Sequence, residues 1–100
     1  MKWADYCISA VRYDKDRRFI EMAVVHVDEG EAIGDGHAYP RDEIIKAFGL
    51  LKSFATISGD PQNGWRKSGE MRAVEYKGMK YLRADNAKEG FDSVGCLPEF

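Results

Sequence analysis

The side chains best suited to chemistry gather in one stretch: His26, Asp28, Glu29, Glu31, Asp35 and His37 fall within twelve residues. Histidine nitrogens and carboxylate oxygens are the donors of zinc and calcium sites, but such sites also need a spacing that makes the donors converge. The stretch has no Cys-x-x-Cys, no His-x-x-x-His and no calcium-loop pattern. The expectation is a strand ending at His26 followed by a solvated acidic loop, with no metal. Nucleophilic catalysis needs an activated Ser, Thr or Cys beside a base. Cys7 lies in an apolar alternating run and reads as a small buried hydrophobe. Cys96, between Gly95 and Leu97, is the more accessible thiol, and no Gly-x-Ser-x-Gly elbow accompanies the two histidines. Gly30, Gly34 and Gly36 sit among acids that repel phosphate, and none is followed directly by Lys-Ser/Thr. No catalytic residue and no cofactor are therefore expected.

Binding chemistry is better represented. Arg66, Lys67, Arg72, Lys80 and Arg83 are interleaved with Trp65, Tyr76 and Tyr81. Basic groups beside stacking rings are the means by which single-strand nucleic-acid binders work. The chain as a whole carries a net charge of −2, which disfavours a general polyanion binder. Its charge is unevenly spread. Residues 28–43 hold six acids against one base, a net of −5, and residues 64–83 hold six bases against two acids, a net of +4. The bland account is two solvated surfaces of opposite sign; the functional one is a dipolar molecule that orients on a charged partner, or an acidic decoy for a basic groove.

These groups must be carried by a small scaffold. One hundred residues, 44% hydrophobic and 32% charged, suit one globular domain spanning residues 1–100. No apolar run approaches the roughly 18 residues that span a bilayer, and the opening Met1-Lys2-Trp3-Ala4-Asp5-Tyr6 has no signal-peptide apolar region. A cytoplasmic protein with two reduced thiols, Cys7 and Cys96, is expected.

Residues 5–13 alternate as a strand, with Tyr6, Ile8 and Ala10 on one side and Cys7, Ser9, Val11 and Tyr13 on the other. A polar turn at residues 14–17 leads to a second strand over 18–27, which together predict an antiparallel hairpin. Residues 28–38 read as a loop. Pro40 opens the one helix, with Ile44, Ile45, Phe48 and Leu51 at helical spacing and Gly49 as a candidate left-handed cap. A third strand follows over 53–58, then a long loop from Gly59 to Gly69 that presents Trp65. Two last strands, 70–76 and 79–84, flank a tight turn at Lys77-Gly78. The order β-β-α-β-β-β gives an α+β fold: a two-layer domain with a mostly antiparallel sheet and one helix on a face. It is β-grasp-like in connectivity, with a small, partly closed barrel as the alternative.

The ends of the chain carry a resemblance. Ala4-Asp5-Tyr6-Cys7-Ile8-Ser9-Ala10-Val11-Arg12, and Tyr81-Leu82-Arg83-Ala84-Asp85-Asn86 followed by Phe91-Asp92 to Leu97-Pro98, resemble the "ADYxITAVR" opening and "YLRTDxN…DNLxxLP" closing of a family of small bacterial domains of unknown function. Glu43-Ile44-Ile45 to Gly49 and Phe54-Ala55-Thr56 are similar to that family's central segment. The resemblance implies no activity and no site residues. The closing motif itself reads as a latch, in which Arg12 or Arg83 pairs with Asp85 or Asp92 and Leu97 presses the tail onto the sheet. The function expected is a protein-interaction or regulatory module with an unidentified protein partner and no membrane. Its candidate contacts are Trp65, Arg66, Lys67, Arg72, Lys80 and Arg83, and a single-stranded nucleic-acid binder is the alternative.

Overall fold

Tyr6–Tyr13 forms strand β1 and Ile20–Val27 forms β2, an antiparallel hairpin closed through the polar turn after Tyr13. The computed structural model describes residues 2–85, 89–95 and 97–100. Within the hairpin Ile8 opposes Val25 but Ala10 opposes Val24, so β1 advances two residues while β2 advances one. That bulge reverses the alternation. Tyr6, Ile8, Val11 and Tyr13 share the face that packs into the larger core, whereas Cys7 joins a smaller cluster. The simple period-two pattern had assigned Val11 and Tyr13 to the side of Cys7.

An additional strand precedes the helix. His37–Pro40 forms β3, antiparallel to β2, so the order is β-β-β-α-β-β-β and the predicted loop over 28–38 is shorter than expected. All four β3 residues are exposed, so no hydrophobic alternation marks them in the sequence. The remaining loop is closed on itself by Glu29 N donating to Ala32 O at 3.0 Å and pinned to the sheet by Gly34 N donating to Val27 O at 2.9 Å.

Helix α1, Arg41–Gly49, begins as β3 ends. Pro40 is its N-cap, and Asp42 and Glu43 place negative charge at the positive helix start. Ile44 is buried and Phe48 half-buried, but Leu51 is 92% exposed and lies beyond the helix. Leu51 takes the left-handed position (φ 63°) expected of Gly49. Leu51 N donates to Phe48 O and Lys52 N to Ala47 O, the hydrogen-bond pair of a Schellman ending. The registration of these bonds, rather than the glycine, sets where the helix stops.

Phe54–Asp60 forms β4, Gly64–Tyr76 forms β5 and Met79–Arg83 forms β6. The predicted loop from Gly59 to Gly69 is instead a tight turn and the first half of a thirteen-residue strand. Asp60 Oδ1 accepts the amides of Gln62 and Asn63, and a Cβ at Gly59 would collide with the Gly64 carbonyl oxygen, so this turn requires glycine. Pro61 and Asn63-Gly64 are its turn residues, not signs of a long loop. Trp65 is thereby a half-buried strand residue. Lys77 and Gly78, both at positive φ, form the expected two-residue hairpin turn.

The six strands make one open mixed sheet in the order β3-β2-β1-β4-β5-β6, in which β1 and β4 are the parallel pair. It does not close into the barrel considered as an alternative. Six strands spaced about 4.8 Å apart give a sheet roughly 24 Å wide, and a helix of nine residues is only about 14 Å long. One helix therefore cannot cover a face. α1 lies over β2 and β3, and Val94 and Leu97 of the C-terminal tail supply further cover, packing with Ile8, Val11, Ile44 and Leu82. Among the described residues no helix is long and apolar enough to cross a membrane.

Replacing Leu51 with glycine should remove the cost of a left-handed leucine and stabilise the protein by up to about 1 kcal/mol. Urea unfolding of Leu51→Gly against the parent measures it, and a lower midpoint would contradict this account of the helix ending.

Candidate functional site

The tail is fastened by one carboxylate. Asp92 has no exposed side-chain surface. Its Oδ2 accepts Ile20 N at 2.8 Å and Arg41 Nε at 2.7 Å; its Oδ1 accepts Leu82 N at 2.8 Å and Arg41 Nη2 at 3.1 Å. One side chain thus ties the start of β2, the start of α1 and the middle of β6. Arg41 Nη2 also reaches Lys80 O at 2.6 Å, and its guanidinium lies 5.0 Å from the Phe19 ring centroid.

The other residues of the predicted latch take separate posts. Arg83, 4% exposed, makes a two-pronged contact with Asp85 at 2.8 and 3.0 Å, donates to Phe91 O at 3.1 Å and pairs with Glu89. Its hydrogen bonds to Asp85 raise its pKa against the opposing effect of burial. Arg12 instead donates to Phe100 O at 3.0 Å and lies 4.8 Å from the Phe100 ring centroid. Leu97 is half-buried against the core. Beyond Ile8, where the β4 register ends, the tail pairs with β1: Val11 N donates to Pro98 O and Phe100 N to Val11 O. Arg41 is the residue that sequence reasoning missed. A cation in the first turn opposes the helix dipole, and that anomaly was the available signal.

The candidate partner contacts do not form one surface. Trp65 and Lys67 alternate with Arg66 along β5, so neighbouring bases point to opposite faces. Lys67 and Arg72 both pair with Glu70, at 3.2 and 3.7 Å. Arg83 is buried in its own ion pairs, while Arg66 and Lys80 are exposed. The Trp65 ring sits 5.1 Å from that of His26.

The acidic stretch is also divided. His26 is buried, with Nδ1 2.8 Å from Gly34 O and Nε2 2.7 Å from Ser9 Oγ. A carbonyl only accepts, so Nδ1 carries a proton, and Nε2 shares a hydrogen bond with the Ser9 hydroxyl. Asp28 is buried too: its Oδ2 accepts Trp3 N at 2.7 Å and its Oδ1 accepts Gly30 N at 2.9 Å. Burial works to raise the Asp28 carboxyl, but the amides of Gly30, Trp3 and Ala4 outweigh it and hold the group below its usual range. The neighbouring Cys7 thiol is pushed up to about 11, by burial first and then by the Asp28 charge. Cys7 is a free buried thiol, and Cys96 lies outside the described residues. His37 is exposed on β3, and among the described residues no three His, Cys, Asp or Glu side chains are grouped to hold a metal ion.

A groove opens where the short helix leaves the sheet face uncovered. It measures about 210 Å³, has Tyr6, Val25, Val27, Tyr39, Ile44 and Phe54 among its walls, and includes Asp35, His37 and Glu43. Val27 and Tyr39 are 52% and 44% exposed. Its outer wall is β3, one of the sheet's two edge strands, which among the described residues has a neighbouring strand on one side only. No protein-family profile, curated protein or solved structure matches the chain.

Two outcomes test this geometry. Asp92→Asn should cost about 3 kcal/mol in urea unfolding, because it leaves Arg41 without its buried countercharge, whereas Arg12→Ala should cost no more than about 1 kcal/mol. Equal small losses would show that Asp92 does not fasten the tail. In a Cys96→Ser variant, Cys7 should resist Ellman's reagent at about pH 8 until denaturant is added, since a buried thiol with a raised pKa supplies little thiolate. Rapid reaction of the folded protein would show that this face of the sheet is open.

Proposed function

We propose that the chain is a small non-catalytic interaction domain that captures an extended segment of a partner protein along β3. The observation that carries this reading is an exposed edge strand standing beside an open apolar groove. An edge strand offers backbone donors and acceptors to an added strand, and pockets beside it select alternate side chains of the bound segment. Asp35 and Glu43 at the groove, with Asp42 exposed nearby, favour an apolar residue flanked by lysine or arginine. β3 is only four residues long and runs into Pro40, which limits the pairing to a short, registered segment.

The core keeps the chain order of a β-grasp, β1-β2-α1-β4-β5, but places β4 instead of β5 parallel beside β1; the same reading takes the setting as cytoplasmic and the chain as akin to the small bacterial domains its ends resemble. Single-stranded nucleic-acid binding is the second reading. It rests on the exposed Arg66 and Lys80, and it is weakened by the burial of Arg83 and the pairing of Lys67 and Arg72 with Glu70. An acidic decoy is weaker still, because Asp28 turns inward onto backbone amides.

Peptides selected from a displayed random library should shift the amide resonances of residues 37–39, and Tyr39→Ala should weaken their binding about tenfold, some 1.4 kcal/mol. Shifts confined to β5 and β6, or unchanged affinity in Tyr39→Ala, would refute the β3 site. Salt-dependent binding of mixed oligonucleotides would install the nucleic-acid reading in its place.

A further inference from the structure

Both tryptophans of the chain, Trp3 and Trp65, line one hollow of about 400 Å³. Ile33, Pro61, Asp28 and Glu31 complete the walls that matter here. Trp65 belongs to the cluster containing Cys7, Ala55 and Ile57, away from the β3 groove. The hollow is built by the backbone. The glycine-dependent turn between β4 and β5 fixes Trp65 opposite Gly59, and the Asp28 carboxylate holds the Trp3 amide at 2.7 Å.

Its electrostatics favour a cation. Asp28 is buried and held in its charged form by amide donors, not by a side-chain ion pair. The cation whose charge acts on it, Lys2, lies 3.6 Å from Asp5. Glu31 adds a second carboxylate, and among the described residues the lining contains no Lys, Arg or His. Two indoles beside two carboxylates meet the requirements of a cation that sheds its water easily and presents apolar surface. A hydrated metal ion would want oxygen ligands, and both Asp28 oxygens already accept amides.

We propose that this hollow binds a small-molecule quaternary ammonium, with the methylated nitrogen against Trp3 and Trp65 and its charge balanced by Asp28 and Glu31. The volume falls within the range of small-ligand sites, roughly 300–1,000 Å³, so a short substituent on the nitrogen fits as well. The site is independent of the β3 groove and stands whether or not that groove takes a peptide.

Because both tryptophans line the hollow, intrinsic fluorescence reports on it directly. Titration with choline should quench or shift the emission with a dissociation constant on the order of 1 mM. The neutral isostere 3,3-dimethylbutan-1-ol should bind at least about tenfold more weakly, since it keeps the shape and loses the charge. Trp65→Leu, which keeps an apolar wall, should lower choline affinity at least about tenfold, read by calorimetry. Glu31→Gln, at an exposed position tolerant of exchange, should weaken choline several-fold and leave the isostere unchanged. Equal binding of choline and the isostere would overturn the proposal, as would an unaltered affinity in Trp65→Leu or no fluorescence response to choline. Binding of a trimethyllysine peptide without choline would overturn the small-molecule assignment.

Discussion

The Asp92 carboxylate is the point on which the arrangement depends. It lies in a tail whose described residues form no regular strand or helix, yet its two oxygens accept four hydrogen bonds from β2, β6 and Arg41. A buried carboxylate is tolerated only when its charge is balanced and its lone pairs are filled, and both conditions are met by groups that are far apart in sequence. The consequence is mechanical. β6 and the start of β2 are joined through a side chain where the sheet supplies no strand-to-strand ladder, and the helix start is fixed to the same point. An open sheet gains some of the restraint of a closed one without becoming a barrel.

That fastening answers a shortage of cover. A nine-residue helix cannot shield a six-stranded sheet, and the tail takes over part of the task with Val94 and Leu97. What neither element covers becomes the groove by β3. On the second face, Trp3, Trp65 and Ile33 flank the small cluster around Cys7 and Ala55, and there a hollow remains. Both cavities are thus places where a small chain ran out of covering elements, and the acids of residues 28–43 border both of them: Asp28 and Glu31 one, Asp35 and Glu43 the other.

The division of the acidic stretch changes the meaning of its charge. As a run of sequence it reads as a uniform negative patch. In three dimensions Asp28 serves as a backbone staple, Glu31 lines the hollow beside it, and Asp35 and Glu43 line the other groove. The basic stretch is dispersed in the same way, since strand alternation sends Arg66 and Lys67 apart and Arg83 is committed to Asp85 and Glu89. Charge clustering along a chain becomes a binding surface only when the backbone keeps the side chains on one face, and an extended strand does the opposite.

The sequence by itself determined the elements whose signals are local. The hairpin of β1 and β2, the helix with its acidic first turn, and the Lys77-Gly78 turn follow from alternation, helical spacing and turn residues. In the tail the pairing of Arg83 with Asp85 was legible, whereas the partner of Asp92 proved to be Arg41, and Arg12 meets Phe100 instead of either acid. Only the tertiary structure decided the features that arise from distant groups. β3 has no apolar pattern and exists because β2 leaves an edge to pair with. The face of Val11 and Tyr13 depends on a bulge that is invisible to periodicity. Leu51 is left-handed because backbone bonds to Ala47 and Phe48 end the helix, and Trp65 stands in a strand because Gly59 permits a tight turn. The groove and the tryptophan hollow have no sequence signature, because a cavity is bounded by elements whose separation is set by packing and not by any one of them.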